Sequence, residues 1–249
     1  MPALPGSVEV NRLGSIQPIY LLADSQLLFW RTTQGPFFSQ LRRTLNRLSP
    51  SAAYVGASNR DDPQFYSIFT AAMEVIGVAD CRMIKSSFSD EDRRFFESAD
   101  IILLAGGDVR KGWDVIERVG IKEALCRRYH NGAVLLGVSA GAVHLGQYGF
   151  CEENGVSTSL FDTLSLIPFA VDVHQEHSDW ERLSSMIRVL DSGVTGLGIP
   201  SGGGMIYHPD HTIEPVRFPV YEFAIKDQEL TRTLLFPAKE NEEPGKRRF

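Results

Sequence analysis

Cysteine is scarce in this chain of 249 residues: Cys81, Cys126 and Cys151 are too few and too widely spaced for a disulfide framework or a cysteine-based zinc site. They read as reduced thiols in a core. Positive charge is also in the minority. A net charge of -6 and a pI near 5.5 argue against nonspecific binding to nucleic acid or anionic membrane, which needs clustered Lys and Arg. Long apolar runs are missing as well, since no stretch approaches the ~18 residues that a membrane span requires. Residues Met1 to Gly14 have neither the basic start nor the apolar stretch of a secretory signal. The expected location is cytoplasmic. The chain has no internal repeat and no low-complexity segment.

What is present suits an α/β fold. With 43% hydrophobic residues the chain can bury a full core, and its length fits one domain over 1–249 with a loose, polar tail from about 238 to 249. Apolar runs bounded by turn residues alternate with amphipathic stretches, the pattern of βαβ units with helices on both faces of a mostly parallel sheet. Strands are expected at 16–23, 52–57, 79–84, 100–105 and 133–138. Helices are expected at 34–48, from Asp61, Asp62 and Pro63 through Ile76, and at 111–129. Beyond residue 150 the grammar changes. Short β-like runs at 163–168, 194–200, 205–207, 212–216 and 219–225 surround one helix near 177–190, which predicts an antiparallel C-terminal edge.

The strand at 133–138 runs directly into Gly137-Val138-Ser139-Ala140-Gly141, a G-x-S-x-G motif followed by a short helix over 140–145. The letters alone are weak, but a buried strand before the serine and a helix after it are what a nucleophile elbow requires. The serine then stands in a tight turn where flanking side chains would collide with neighbouring backbone, and the N–H after it can face a developing oxyanion. A second strand end, Leu103-Leu104-Ala105-Gly106-Gly107-Asp108, should reach the same carboxyl edge of the sheet, where open α/β folds hold their ligands.

Gly106-Gly107-Asp108 about thirty residues before Gly137-Val138-Ser139-Ala140-Gly141-Ala142 resembles the dipeptidase E and cyanophycinase family of serine peptidases. Further similar segments follow in order: Ala53-Tyr54-Val55-Gly56-Ala57-Ser58, then Val171-Asp172-Val173-His174 with Arg182-Leu183 after it, then Gly196-Leu197-Gly198-Ile199. The resemblance spans roughly residues 50 to 216. It implies a flavodoxin-like, class I glutamine amidotransferase-like fold and hydrolysis of a small peptide or aspartyl-type amide through an acyl-enzyme. Ser139 is then the nucleophile, His174 the base, and Gly107 with Ala140 the oxyanion N–H pair.

Histidine suits the base because its pKa allows proton exchange at neutral pH. His208 and His211 flank a turn, His130 ends a helix, and His144 lies about one turn beyond the serine, so that His174, which the resemblance marks as the base, is the best candidate. Asp172, His174, Glu176 and His177 also carry metal-ligand chemistry, but no second ligand cluster accompanies them and a serine hydrolase needs none. No metal and no cofactor is expected. The carboxylate that should orient the base is open among Glu152, Glu153, Asp162 and Asp172, with Glu153 preferred. Cyanophycinase-like chains carry a glutamate after the Gly-Ile-Gly run, where this chain reads Pro200-Ser201-Gly202-Gly203-Gly204. That departure leaves two alternatives standing, a non-catalytic small-molecule binding protein on the same fold and an esterase using the same serine.

Substrate contacts are expected from Asp108 and Arg110 beside the glycine pair and from Asn59 after the second strand, with Lys111, Arg60, Asp61 and Asp62 nearby. The expected partners are a small peptide or amide substrate and, in a homodimer, a second copy of the chain. Neither nucleic acid nor membrane is expected.

Overall fold

The computed structural model describes residues 15–45, 47–153, 156–190, 193–238 and 247–248, with the side chains of 152–158 and 247–248 outside that description. The chain opens with β1 (Ile19–Leu22), a small hairpin of β2 (Arg31–Thr32) and β3 (Gly35–Pro36), and α1 (Ser39–Thr44). Then β4 (Ser51–Val55), α2 (Pro63–Val75), β5 (Asp80–Ile84), α3 (Asp90–Phe96) and β6 (Ile101–Leu104) alternate. They continue into α4 (Val109–Arg118), α5 (Ile121–His130), β7 (Val134–Val138) and α6 (Ala140–Leu145). The later half holds the hairpin β8 (Tyr148–Glu153) and β9 (Val156–Asp162), β10 (Phe169–Val173), α7 (Glu181–Leu190) and β11 (Thr195–Ile199). It closes with β12 (Gly204–Tyr207), β13 (Thr212–Val216), β14 (Val220–Lys226), β15 (Glu229–Leu235) and β16 (Arg247–Arg248).

Among the described residues, the central sheet runs in the order β16-β13-β12-β1-β7-β6-β4-β5. The five strands from β1 to β5 in that order pair in parallel, and β12, β13 and β16 add antiparallel. Alternation along each parallel strand explains the three layers, because successive side chains point to opposite faces. Leu21, Ala53, Ile102 and Leu135 join Phe96, Trp113, Ile116 and Leu125 of α3 to α5 in one core. Leu22, Tyr54, Leu103 and Leu136 join Phe38, which precedes α1, Leu41 of α1, and Phe69 and Met73 of α2 in the other. Each Leu, Ile, Met or Phe among them, buried to within a few per cent, contributes about 1.5–3 kcal/mol. The neighbours β4 and β6 send their helices, α2 and α4, to opposite faces, which opens a crevice at their carboxyl ends.

The mixed α/β fold expected from the sequence is the one observed, and α2 begins where Asp62 caps it with Pro63 in its first turn. Several elements differ. The helix expected over 34–48 shrinks to α1, because Gly35 at φ +116 and Pro36, which lacks an N–H, form the β2–β3 hairpin first. Leu48, expected on the buried face, is 99% exposed. The helix expected over 111–129 divides at Gly120, whose φ of +81 is left-handed. The charged stretch after β5 folds as α3, started by a capping box between Ser89 and Asp92.

Residues 163–168 are not a strand. Their apolar members Leu164 and Ile167 are buried by an irregular segment whose N–H groups donate to His144 and Leu145 of α6. The β8–β9 hairpin lies before it instead, and β15 was not expected at all. The later strands also do more than edge the main sheet: β10, β11, β14 and β15 form a separate four-stranded sheet, in which β10 and β11 pair in parallel. In the expected loose tail, β16 pairs with β13, while residues 239–246 and 249 lie outside the described residues. No described helix is long and apolar enough to cross a membrane.

Candidate active site

Ser139 stands between β7 and α6 with φ 50 and ψ -113, a backbone conformation that costs about 1–3 kcal/mol unless its surroundings enforce it. They do: its N–H donates to the Leu22 carbonyl at 2.9 Å, and α6 starts at the next residue. Gly141 explains why the motif ends in glycine. A Cβ there would lie 2.1 Å from the Leu104 carbonyl oxygen, so any side chain would force α6 away from β6.

His174 comes from the other sheet, directly after β10. Its φ of 45 turns the chain, and its N–H donates to the Ile199 carbonyl at 3.0 Å. The ring is exposed and its Nε2 lies 2.9 Å from the Ser139 Oγ, across 35 residues of sequence. Nε2 can accept the hydroxyl proton when the ring carries its own proton on Nδ1.

Gly107 has φ +138, and a Cβ on it would meet the Ser58 carbonyl at 2.1 Å. Asp108 N–H donates to that carbonyl at 2.9 Å, while the Gly107 N–H has no acceptor among the described residues. Ala140, at the first position of α6, has no helical residue four places earlier to accept its N–H. Both residues line the cavity that Ser139 faces.

Two cavities meet at Ser139, His174 and Gly107. The wider, of about 560 Å³, is walled by Asp108, Arg110, Lys111, Phe150 and Arg182. Its cations are engaged: Arg110 pairs with Asp114 at 2.6 Å and lies over the Phe161 ring at 4.6 Å, while Lys111 pairs with Asp108 at 2.8 Å. Burial pushes the Asp108 carboxyl up, but hydrogen bonds from the Lys111 side chain and backbone outweigh it and leave it below the usual range. The narrower cavity, of about 260 Å³, is largely apolar and includes Asn59, whose Nδ2 donates to the Tyr54 hydroxyl at 2.6 Å. The remaining loop residues are elsewhere employed, since Asp61 accepts from Ser86 and Asp62 caps α2.

The carboxylates sort by what their oxygens already do. Glu153 pairs with Val156 where β8 gives way to the connection to β9, and its side chain, like that of Glu152, lies outside the described residues. Asp162 is exposed on β9. Asp172, fully buried, is held by Arg182 and by the Val173 N–H at 2.8 Å. Burial raises its pKa against the pull of Arg182. Glu176, two residues past His174, accepts from Ser201 N–H at 3.2 Å, while its Oε2 is buried without a partner. Burial pushes the Glu176 carboxyl up, but bonding to Ser201 prevails and holds it below the ordinary range. Asp172, His174, Glu176 and His177 do not gather, and no group of three metal-ligating side chains occurs among the described residues.

Sequence reasoning missed Asp24, Phe150 and the approach of Glu176 to the Ser201 loop. Asp24 follows β1, accepts from Gly202 N–H at 2.7 Å and lines the narrow cavity. Its place one step beyond a strand end was a readable signal. The other two depend on contacts between distant segments.

The sequence model of peptidase family S51 matches residues 21–214. No curated protein matches the chain. Among solved structures, the chain is similar to a peptidase from an acI-B1 Actinobacterium, with a TM-score of 0.65 and 14% identity over 90% of this chain and 96% of that one. It is also similar to a protein described as a peptidase E from Listeria monocytogenes EGD-e, with a TM-score of 0.57 and 16% identity over 89% of this chain and all of that one.

Proposed function

Because the chain belongs to peptidase family S51, a family of serine-type peptidases, we propose that it hydrolyses a small peptide or aspartyl-type amide through an acyl-enzyme on Ser139. The observation that carries this reading is the 2.9 Å approach of Ser139 Oγ to His174 Nε2. His174 takes the hydroxyl proton as Oγ attacks the substrate carbonyl, and the oxygen that becomes negative is met by the N–H groups of Gly107 and Ala140. The imidazolium then gives its proton to the leaving amine, and the C–N bond breaks. Water attacks the acyl-enzyme by the same route in reverse, with His174 again accepting and returning the proton.

Asp108, Arg110 and Asn59 are the proposed substrate contacts, the first two in the wider cavity and Asn59 in the narrower. For the acid behind His174, Glu153 is proposed on the family resemblance. A specific observation favours a second reading of that role: Glu176 is two residues from the base and has a carboxylate oxygen buried without a partner. A cytoplasmic location belongs to the same proposal and is supported by three cysteines that form no disulfide.

Treatment with a small fluorophosphonate, followed by intact mass and peptide mapping, tests the nucleophile without knowledge of the substrate. Modification confined to Ser139, absent in Ser139→Ala and slowed about 10²–10⁴-fold in His174→Ala, is the expected result. A folded protein that stays unmodified, or reacts equally well without His174, overturns the assignment.

A further inference from the structure

Phe65, Ile68 and Phe69 have the i, i+3, i+4 spacing of a core-facing helical stripe. Only Phe69 is buried. Phe65 is 52% exposed and Ile68 36% exposed, although both belong to the first half of α2, which packs on the sheet. What they face is the narrower cavity, whose walls are completed by Leu28, Tyr54 and Leu103. Two large apolar side chains left uncovered beside a nucleophile call for an apolar group to cover them.

The charge around this cavity excludes an anion. No Lys or Arg lines it. Burial pushes the Tyr54 hydroxyl up to about 12, so it stays neutral. Asp24 supplies a negative charge, with Oδ1 accepting from Gln26 N–H at 2.8 Å and Oδ2 from Gly202 N–H. At about 260 Å³ the space falls below the ~300–1,000 Å³ of a site for a whole ligand, but it accommodates one leucine- or phenylalanine-sized side chain. The wider cavity, at about 560 Å³, is lined by Arg110, Lys111 and Arg182, each paired with an aspartate, and is the place for the polar or acidic remainder, which would share those cations with their present partners.

We infer that the narrow cavity is a subsite for a bulky apolar side chain, so that the substrates are short peptides pairing an apolar residue with a polar or acidic one across the scissile bond. This inference rests on the assignment of Ser139 as nucleophile. The two cavities share Ser139, His174 and Gly107, so a peptide spanning both brings the bond between its two residues to the hydroxyl.

The test uses the full chain and the dipeptides Asp-Leu, Leu-Asp, Asp-Ala and Ala-Asp, with kcat/KM measured for each and Ser139 labelling by the fluorophosphonate run in parallel. In at least one order the leucine peptide is expected to exceed its alanine counterpart by about tenfold or more, the discrimination a hydrophobic pocket gives for a few methylenes. Ile68→Arg and, separately, Phe65→Ala, both at partly exposed positions, should collapse that ratio toward one. Equal rates for leucine and alanine peptides, a ratio untouched by both substitutions, or labelled Ser139 with none of the peptides cleaved overturns the subsite and leaves the nucleophile standing. Failure to label Ser139 brings down the nucleophile assignment, and the subsite with it.

Discussion

Arg182 grips Asp172 from both sides: its Nε donates to Oδ2 at 3.0 Å and its Nη2 donates to Oδ1. Asp172 is fully buried at the end of β10, two residues before His174, and Arg182 also lies over the Phe150 ring at 3.8 Å. The pair therefore ties α7 to the strand that presents the candidate base and to the wall of the wider cavity. Removing the cation alone would leave a buried carboxylate uncompensated. Arg182→Met should destabilise the fold by about 3–5 kcal/mol in urea unfolding, and adding Asp172→Asn should recover part of the loss. A cost below about 1 kcal/mol would show that the pair is not holding β10.

Gly107→Ala probes the loop opposite Ser139. The new methyl would strike the Ser58 carbonyl, and alanine at φ +138 is strained besides, so the loop must shift. If its N–H meets the oxyanion, kcat should fall about 10²–10³-fold. Unchanged kcat in a variant shown by circular dichroism to be folded would remove Gly107 from the mechanism.

Glu153→Gln and Glu176→Gln separate the two carboxylates proposed to serve His174. Loss of the orienting acid can cost about four orders of magnitude in kcat. The expected outcome is that loss in Glu153→Gln, with a change of less than about tenfold in Glu176→Gln. The opposite ranking in steady-state kinetics would transfer the role to Glu176.

His144 gives a pH prediction. Fully buried in α6, its Nε2 donates to the Val109 carbonyl at 2.7 Å and its Nδ1 has no partner, so protonation would bury a charge. Burial depresses its pKa from 6.5 to about 4. The unfolded chain then takes up the proton more readily. Stability from this residue is complete above pH ~6.5 and is lost as pH falls toward 4, by about 3 kcal/mol. The drop in unfolding free energy between pH 7 and pH 4 should be smaller by about that amount in His144→Gln. Equal drops would mean that His144 is not buried neutral.

What could be read from sequence was local. The β7–Ser139–α6 turn was legible because a continuous apolar strand, a tight turn and a short helix are neighbours along the chain. The start of α2 was legible because Asp62 and Pro63 act within one helical turn. Divided or short elements were harder. Gly120 breaks α4 from α5 through a backbone angle that the surrounding helical periodicity conceals. Leu164 and Ile167 mimic a strand because burial, not secondary structure, selects apolar residues there.

By itself the sequence determined the α/β class and the strand-serine-helix turn, since alternating apolar periodicity and tight-turn chemistry act over a few residues, while His174 was singled out by a motif resemblance. Tertiary structure alone decided that His174 Nε2 reaches Ser139 Oγ, that Arg182 claims both oxygens of Asp172, and that Glu176 meets the loop at Ser201. It alone decided, too, that a largely apolar cavity and a wider one of mixed lining meet at Ser139. These depend on the crossing of strand ends and on competition among charged groups for partners. Such competition is resolved only when distant segments are packed together.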